Sequence, residues 1–177
     1  MWFTKALVAY DGSSPSAKAI DLARGMAAQD PNMEFVFVHV MKLMALGTGA
    51  EGVLIEEANR VYGVLQDIAA SLPNKAHAHL LKGSSPADLI LKCAHDEGCD
   101  LIIMGSRGMG GVRGYLGSVS HGVVQGSPVT VLIAKGAPEA EAGAGAGAGA
   151  PGAQGSQTEG ADATGAGAAA SGERTAR

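Results

Sequence analysis

The sequence predicts an α/β fold in which helices cover both faces of a mainly parallel sheet. Five short apolar runs, each typical of a buried strand, alternate with four segments whose apolar residues recur at helical spacing. The order β-α-β-α-β-α-β-α-β favours parallel strands joined by crossover helices. The second run, residues 34–40, is largely apolar at successive positions and therefore indicates a central strand buried on both faces.

Turn and capping residues divide the chain into these elements. The strands are predicted at residues 5–10, 34–40, 76–81, 100–104 and 129–134, and the helices at residues 15–28, 53–72, 86–97 and 118–125. Ser14 suits the N-cap of the first helix with Pro15 at its first position, and Gly98 suits the stop of the third. The second helix carries an apolar stripe at steps of three and four: Ile55, Ala58, Val61, Leu65, Ile68 and Leu72.

The segment between the fourth strand and the fourth helix is rich in glycine, at positions 105, 108, 110, 111, 114 and 117. A folded loop of this kind needs bare backbone or positive φ. Bare N–H groups attract anions, and the N-terminus of the helix that Gly117 and Ser118 open adds a positive dipole. A flexible surface loop would explain the glycines alone, but the flanking strand and helix favour a phosphate site.

Two better-known phosphate motifs are excluded by the residues present. No Gly-Lys-Ser or Gly-Lys-Thr follows the loop, so the lysine and hydroxyl of a P-loop are missing. The dinucleotide fingerprint Gly-x-Gly-x-x-Gly fails because Gly108 and Gly110 are followed by Arg113 where the third glycine is required. The loop therefore predicts a phosphate site of another kind.

Composition and charge limit the classes of partner. The chain has 177 residues and a formal net charge of −4, which argues against general nucleic-acid binding. The first residues do not form a signal peptide, and no apolar run approaches the roughly 20 residues of a membrane span. Cys93 and Cys99 form no Cys-x-x-Cys motif. We therefore expect a reduced, cytoplasmic protein without a membrane or nucleic-acid partner.

The composition changes after residue 135. Residues 136–177 are mostly alanine and glycine and contain no Val, Leu, Ile, Phe, Trp or Tyr. Such a segment cannot bury enough apolar surface to offset the entropy lost on ordering. We therefore predict one domain over residues 1–135, followed by a disordered Ala/Gly-rich tail over residues 136–177.

Several short motifs occur in order along residues 4–135. They are Leu-Val-Ala-Tyr-Asp-Gly-Ser at 7–13, Val-His-Val at 38–40, Gly-Ser-Ser-Pro-Ala-Asp at 83–88, Asp-Leu-Ile-Ile-Met-Gly-Ser-Arg-Gly at 100–108, Leu-Gly-Ser-Val-Ser at 116–120 and Pro-Val-Thr-Val-Leu at 128–132. In this order and spacing they resemble the universal stress protein family, in its nucleotide-binding branch. One departure is that eight residues separate Gly108 from Gly117, where the family's signature has nine.

The resemblance implies a five-stranded parallel sheet in the order 3-2-1-4-5, an adenine nucleotide α-hydrolase-like fold. It also implies binding of ATP or another adenine nucleotide, with Mg²⁺ as a companion, and a regulatory or stress-response role. In that order strands 1 and 4 are neighbours whose connections leave in opposite directions, which opens a crevice at their carboxyl ends. The fifth strand, residues 129–134, becomes an apolar edge, and we expect a homodimer through it.

The resemblance also assigns ligand contacts to the crevice. The predicted cofactor-binding residues are Ala9, Asp11, Val40, Met104, Gly105, Arg107, Gly108, Gly117, Ser118, Val119 and Ser120. Asp11 would contact the edge of the adenine or ribose, Val40 with Ala9 beside it would form a wall for the adenine, and the glycines and serines would donate to ribose and phosphates. Structural alternatives are a turn role for Asp11, helix capping for Ser118 and a solvated loop position for Arg107.

Two other groups of residues carry weaker predictions. His77 and His79 share one face of the third strand, but no third ligand is near in the sequence, so a metal site is not favoured. His39 is interpreted as a strand histidine with satisfied hydrogen bonds. No catalytic base or nucleophile is evident beside the glycine loop, which favours a binding protein. A slow ATP-hydrolysing or phosphotransfer enzyme and a nucleotide-free dimerisation module stay open as alternatives.

Overall fold

The computed structural model describes residues 3–43, 50–108 and 116–135. Strands and helices alternate there in the order β1 Lys5–Ala9, α1 Ser14–Gln29, β2 Glu34–Lys42, α2 Ala50–Ser71, β3 Ala76–Gly83, α3 Pro86–Asp96, β4 Leu101–Gly105, α4 Ser118–Gly126 and β5 Thr130–Ala134. The alternation predicted from the sequence is therefore confirmed. The predicted tail, residues 136–177, lies outside the described residues.

The strands form one parallel sheet with the order β3-β2-β1-β4-β5. This confirms both the α/β fold and the implied order of strands. Parallel neighbours cannot be joined by tight hairpins, and the helices supply the crossovers that they need. β1 lies at the centre, between β2 and β4, so its carboxyl end adjoins the ends of both neighbours.

Two apolar layers enclose the sheet. One layer joins α1 and α2 to the sheet and includes Ile20 and Leu65. The other joins α3 and α4 to the opposite face and includes Ile90 and Val123. Successive side chains of a strand point to opposite faces, so β1 contributes Ala6 and Val8 to the first layer and Leu7 and Ala9 to the second.

Some element boundaries differ from the prediction. The N-cap of α1 is Ser13 and not Ser14, because the Ser13 hydroxyl oxygen accepts from the Ser16 backbone N–H at 3.3 Å. Pro15 then lies in the first turn, where a missing N–H costs nothing. β2 and β3 each run two residues beyond their predicted ends because they continue to pair as far as Lys42 and Gly83.

The first turns of α2 do not pack as predicted. Ile55, expected to face inward, is exposed, as are Val53 and Leu54, whereas Ala58 and Leu65 are buried. The 22-residue helix is roughly 33 Å long, while the 8-residue β3 below it spans roughly 26 Å. The helix therefore extends beyond the strand against which it packs. Within the described ranges no helix, α2 included, is both long and apolar enough to cross a membrane.

Candidate functional site

A cavity of about 820 Å³ opens at the carboxyl ends of β1 and β4. These strands are neighbours, yet the chain leaves β1 for a helix on one face of the sheet and β4 for a helix on the other. Such a switch point parts the two connections and leaves a crevice between them. All the predicted cofactor-binding residues line this one cavity: Ala9, Asp11, Val40, Met104, Gly105, Arg107, Gly108, Gly117, Ser118, Val119 and Ser120.

Asp11 lies in the turn between β1 and α1. Its Oδ1 accepts from the Ser13 backbone N–H at 3.0 Å, so one oxygen forms the local turn proposed as the structural alternative. Gly12 between them has φ +86, a conformation that favours glycine. The second oxygen, Oδ2, lies over Gly108, where an added Cβ would be 2.6 Å away. Asp11 therefore has one oxygen in the turn and one beside the glycine loop.

Gly105 and Gly108 are required for close approach and not for positive φ. Among the described glycines, only Gly12 and Gly98 have a positive φ, and neither lies in this loop. A Cβ on Gly105 would lie 2.7 Å from both the Pro15 carbonyl carbon and the Ser16 backbone nitrogen. The missing side chain therefore lets the first turn of α1 rest directly on the end of β4.

The two ends of the glycine loop are joined at its base. The Gly117 backbone N–H donates to the Ser106 carbonyl at 2.8 Å, and the Ser13 hydroxyl donates to the Arg107 carbonyl at 3.3 Å. The residue that is absent relative to the family's signature falls between these anchored ends. Residues 109–115, where the loop is shortened, lie outside the described residues. The hydrogen bonds at the base of the loop are therefore formed despite the shorter spacing between Gly108 and Gly117.

The N-terminus of α4 faces the cavity. Its N-cap is Gly117, and Ser118 is the first helical residue, so the interpretation of Ser118 as the helix cap is wrong. The first N–H groups of a helix have no acceptor within the helix, so those of Ser118 and Val119 are available to an anion. The buried Ser120 hydroxyl donates to the Gly105 carbonyl at 2.8 Å, which fixes α4 to β4. Its proton is thus used within the protein.

Residues that the sequence did not single out also line the cavity: Tyr10, Ser16, Val38, Lys42, Pro86, Ile90 and Leu116. Val38 and Lys42 lie on the same face of β2 as the predicted Val40, two residues to either side of it. The period of two could have found Val38 within the predicted strand, and Lys42 had the strand been extended to its observed end. Lys42 is exposed and adds a second cation to Arg107 among the described lining residues.

The wall of the cavity combines apolar and charged parts. Val38, Val40 and Ile90 belong to the layer beneath α3 or pack against it, and they give the cavity an apolar wall. Asp11 lies at one side of this surface, beside the glycine loop. His39 on β2 does not line the cavity, and its Nδ1 is 2.9 Å from the Tyr10 carbonyl oxygen, which confirms its interpretation as a satisfied strand histidine.

These features define a doubly wound α/β protein of the class that holds its ligand at the switch point of the sheet. Residues 3–135 match the model of the universal stress protein family. The chain belongs to that family. Universal stress protein YxiE of Bacillus subtilis (strain 168) is 34% identical to it over 148 residues, which cover 75% of this chain and 99% of the relative.

Solved structures share the fold. Universal stress protein UspA from Lactobacillus plantarum has a TM-score of 0.64 at 23% identity, over 76% of this chain and 99% of the other. A universal stress protein from Archaeoglobus fulgidus in complex with dAMP has a TM-score of 0.58 at 22% identity, over 76% of this chain and 100% of the other. At these identities the two structures establish the common fold.

Proposed function

We propose that this protein binds an adenine nucleotide, with ATP as the main candidate, at the carboxyl ends of β1 and β4. The observation that carries the proposal is the convergence of all the predicted cofactor-binding residues on one cavity. The dAMP complex of the Archaeoglobus fulgidus relative adds support, because that protein has the same fold. Membership of the family supports a stress-response role.

The chemistry of the walls suggests how the nucleotide lies. The adenine packs on the apolar surface of Val38 and Val40, and Asp11 accepts from its amino group or from a ribose hydroxyl. The phosphates extend toward Gly108 and the N-terminus of α4, where backbone N–H groups and the helix dipole favour anions. Lys42 lies at the rim as a second cation for the phosphates.

A regulatory ligand accounts for the cavity better than a rapidly consumed substrate does. Asp11 is the one carboxylate among the described lining residues, and its Oδ1 already accepts from the Ser13 N–H. Mg²⁺ would therefore arrive with ATP and keep its bonds to phosphates and water, as this ion usually does. Steady-state turnover of ATP in the presence of Mg²⁺ would instead favour the hydrolase or phosphotransfer alternative.

Titration of the full chain with ATP tests the proposal, and Ser118→Ala sharpens it. The parent should bind one ATP per chain. Loss of a hydroxyl bond to a charged phosphate costs about 1–3 kcal/mol, so Ser118→Ala should weaken ATP binding roughly 5- to 100-fold. Because Gly117 and not Ser118 is the N-cap, the melting temperature should stay unchanged.

Ser84→Ala is the matched control for that titration. Ser84 is exposed and does not line the cavity, so the variant should bind ATP like the parent. A parent that releases no heat with ATP and carries no nucleotide after purification would support the dimerisation module instead. Equal ATP affinity in Ser118→Ala and the parent would show that the Ser118 hydroxyl does not bind the phosphates.

We also propose a homodimer through β5. The strand is an edge of the sheet, and the Ala134 carbonyl accepts from the Ser106 N–H on the β4 side at 2.8 Å. Successive residues of a strand direct their backbone groups to opposite sides, so Val131 and Ile133 present N–H and C=O groups to the free edge. An apolar edge of this kind is usually paired or covered.

Val131→Lys should convert the dimer to a monomer at tens of micromolar, because a twofold pairing would bring the two lysines together. Analytical ultracentrifugation measures the change. Val64→Lys is the control, since Val64 is an exposed valine on α2, which covers the other end of the sheet. A parent that sediments as a monomer, or a Val131→Lys variant that stays dimeric, would contradict the proposed interface.

We propose a reducing, cytoplasmic location because the two cysteines form no disulfide with each other. Cys93 and Cys99 are free and buried. Burial raises the pKa of the Cys93 thiol to about 11 and that of Cys99 to about 12. Both are therefore protonated near neutral pH and pack as apolar core residues, and free cysteines are usual in proteins of reducing compartments.

A further inference from the structure

Three side chains with metal-binding atoms meet away from the nucleotide cavity. His77 and His79 on β3 lie beside Glu97, and one ligand atom of each lies within 4.8 Å of the other two. A metal site was not favoured by the sequence because no third ligand is near the two histidines. The structure supplies one, since Glu97 is 18 residues beyond His79 in the chain but 2.9 Å from it.

The fold explains why these residues meet. His77 and His79 pair in register with Val36 and Val38 of β2, which belong to the layer covered by α3. Both imidazoles therefore face the α3 side of the sheet. Glu97 is the C-cap residue of α3, so the end of that helix carries its carboxylate to the same face of the edge strand.

The distances suit direct coordination. His77 Nε2 lies 3.3 Å from Glu97 Oε2, and His79 Nε2 lies 2.9 Å from Glu97 Oε1. Zn²⁺ bound tetrahedrally at about 2.0–2.1 Å separates its ligand atoms by roughly 3.3–3.4 Å. The two imidazole rings are nearly perpendicular, with centroids 5.0 Å apart. Small rotations of these half-exposed side chains would therefore surround one ion.

A neighbouring lysine holds the Glu97 carboxylate in place. Lys5 Nζ donates to Glu97 Oε2 at 2.8 Å, and Lys5 is itself 3.9 Å from Glu34. The hydrogen bond from Lys5, followed by that from His79, lowers the pKa of Glu97 to about 2. Lys5 also orients the carboxylate, because it bonds to Oε2 and leaves Oε1 beside His79.

We propose that His77, His79 and Glu97 bind one divalent ion of the Zn²⁺ type, through two imidazole nitrogens and the carboxylate. Two histidines with one carboxylate form a known ligand set for zinc that leaves a fourth position for water. The histidine side chains are each 40% exposed, so the ion can enter from solvent. A bound ion would join the edge strand β3 to the end of α3.

None of the three proposed metal ligands lines the nucleotide cavity. Pro86, which begins α3, lines that cavity, whereas Glu97 follows the other end of the same helix. An 11-residue helix is roughly 16 Å long, so Pro86 and Glu97 lie at opposite ends of α3, although Val38, the β2 partner of His79, also lines the cavity. Binding of Zn²⁺ can therefore be measured on nucleotide-free protein, and its failure would leave the proposed nucleotide site untouched.

The test is titration of the full chain, without a histidine tag and stripped with a chelator, with Zn²⁺ alone. The parent should bind one equivalent and melt at a higher temperature in its presence, since a ligand of the native state stabilises it. His77→Ala and His79→Ala should each weaken binding at least about tenfold, and the double variant should lose it. His95→Ala is the matched control, because His95 is 84% exposed and outside the cluster.

A second measurement does not depend on any variant. Co²⁺ replaces Zn²⁺ in such sites and gains strong visible absorption when it is four-coordinate. The absorption of the parent should saturate at one equivalent of Co²⁺ and disappear when Zn²⁺ is added. Absence of saturable binding in the parent, or equal Zn²⁺ affinity in the double variant and in His95→Ala, would overturn the proposal.

Discussion

Gly108→Val should abolish measurable binding of ATP while the domain still folds. The new side chain enters the phosphate end of the cavity, and its Cβ would lie 2.6 Å from Asp11 Oδ2. The Asp11 carboxylate must then move, which displaces the group assigned to the adenine or ribose as well. Each 1.4 kcal/mol of binding free energy corresponds to about a tenfold change in affinity. The loss of several contacts at once should therefore place the affinity for ATP beyond detection. Calorimetry with ATP, read beside circular dichroism, measures both parts of the result.

Gly25→Val is the control for that experiment. Gly25 is exposed on α1, and a Cβ added there meets nothing within 4 Å. This variant should bind ATP like the parent. Gly108 is itself exposed, so its replacement should lower the melting temperature by no more than a few degrees. If Gly108→Val binds ATP with the affinity of the parent, the glycine loop is not the phosphate site.

Gly105→Ala should destabilise the whole domain, in contrast to Gly108→Val. One added methyl group would lie 2.7 Å from backbone atoms of Pro15 and Ser16, and backbone cannot rotate away as a side chain can. The first turn of α1 and the end of β4 must therefore separate. Overpacking of this kind costs about 1–3 kcal/mol and occasionally more, which lowers the melting temperature of a domain this size by several degrees.

Gly63→Ala should shift stability in the opposite direction. Gly63 lies within α2, and its added Cβ meets nothing within 4 Å. Alanine is favoured over glycine in a helix by up to about 1 kcal/mol, so this variant should melt at or above the temperature of the parent. Denaturant unfolding of both variants measures the difference. Equal stability of Gly105→Ala and the parent would show that α1 does not pack as tightly on β4 as described.

Patterns local in the sequence predicted most of the elements correctly. Apolar runs and Ser-Pro helix starts identify strands and helices because these signals depend on neighbours within a few residues. The ends of β2 and β3 were missed because Lys42 and Gly83 belong to the sheet through pairing with each other. Ile55 was predicted to be buried because periodicity marks the apolar side of a helix but not how far the sheet beneath it extends.

The sequence alone determined the α/β fold, and the glycine loop at the end of β4 marked the place where a phosphate could bind. Only the tertiary structure decided why Gly105 and Gly108 must be glycine, since both reasons are contacts with the start of α1 or the residues before it. It also brought Glu97 to His77 and His79. Residues distant in the chain become neighbours through strand order and helix packing, and no local pattern of residues encodes those distances.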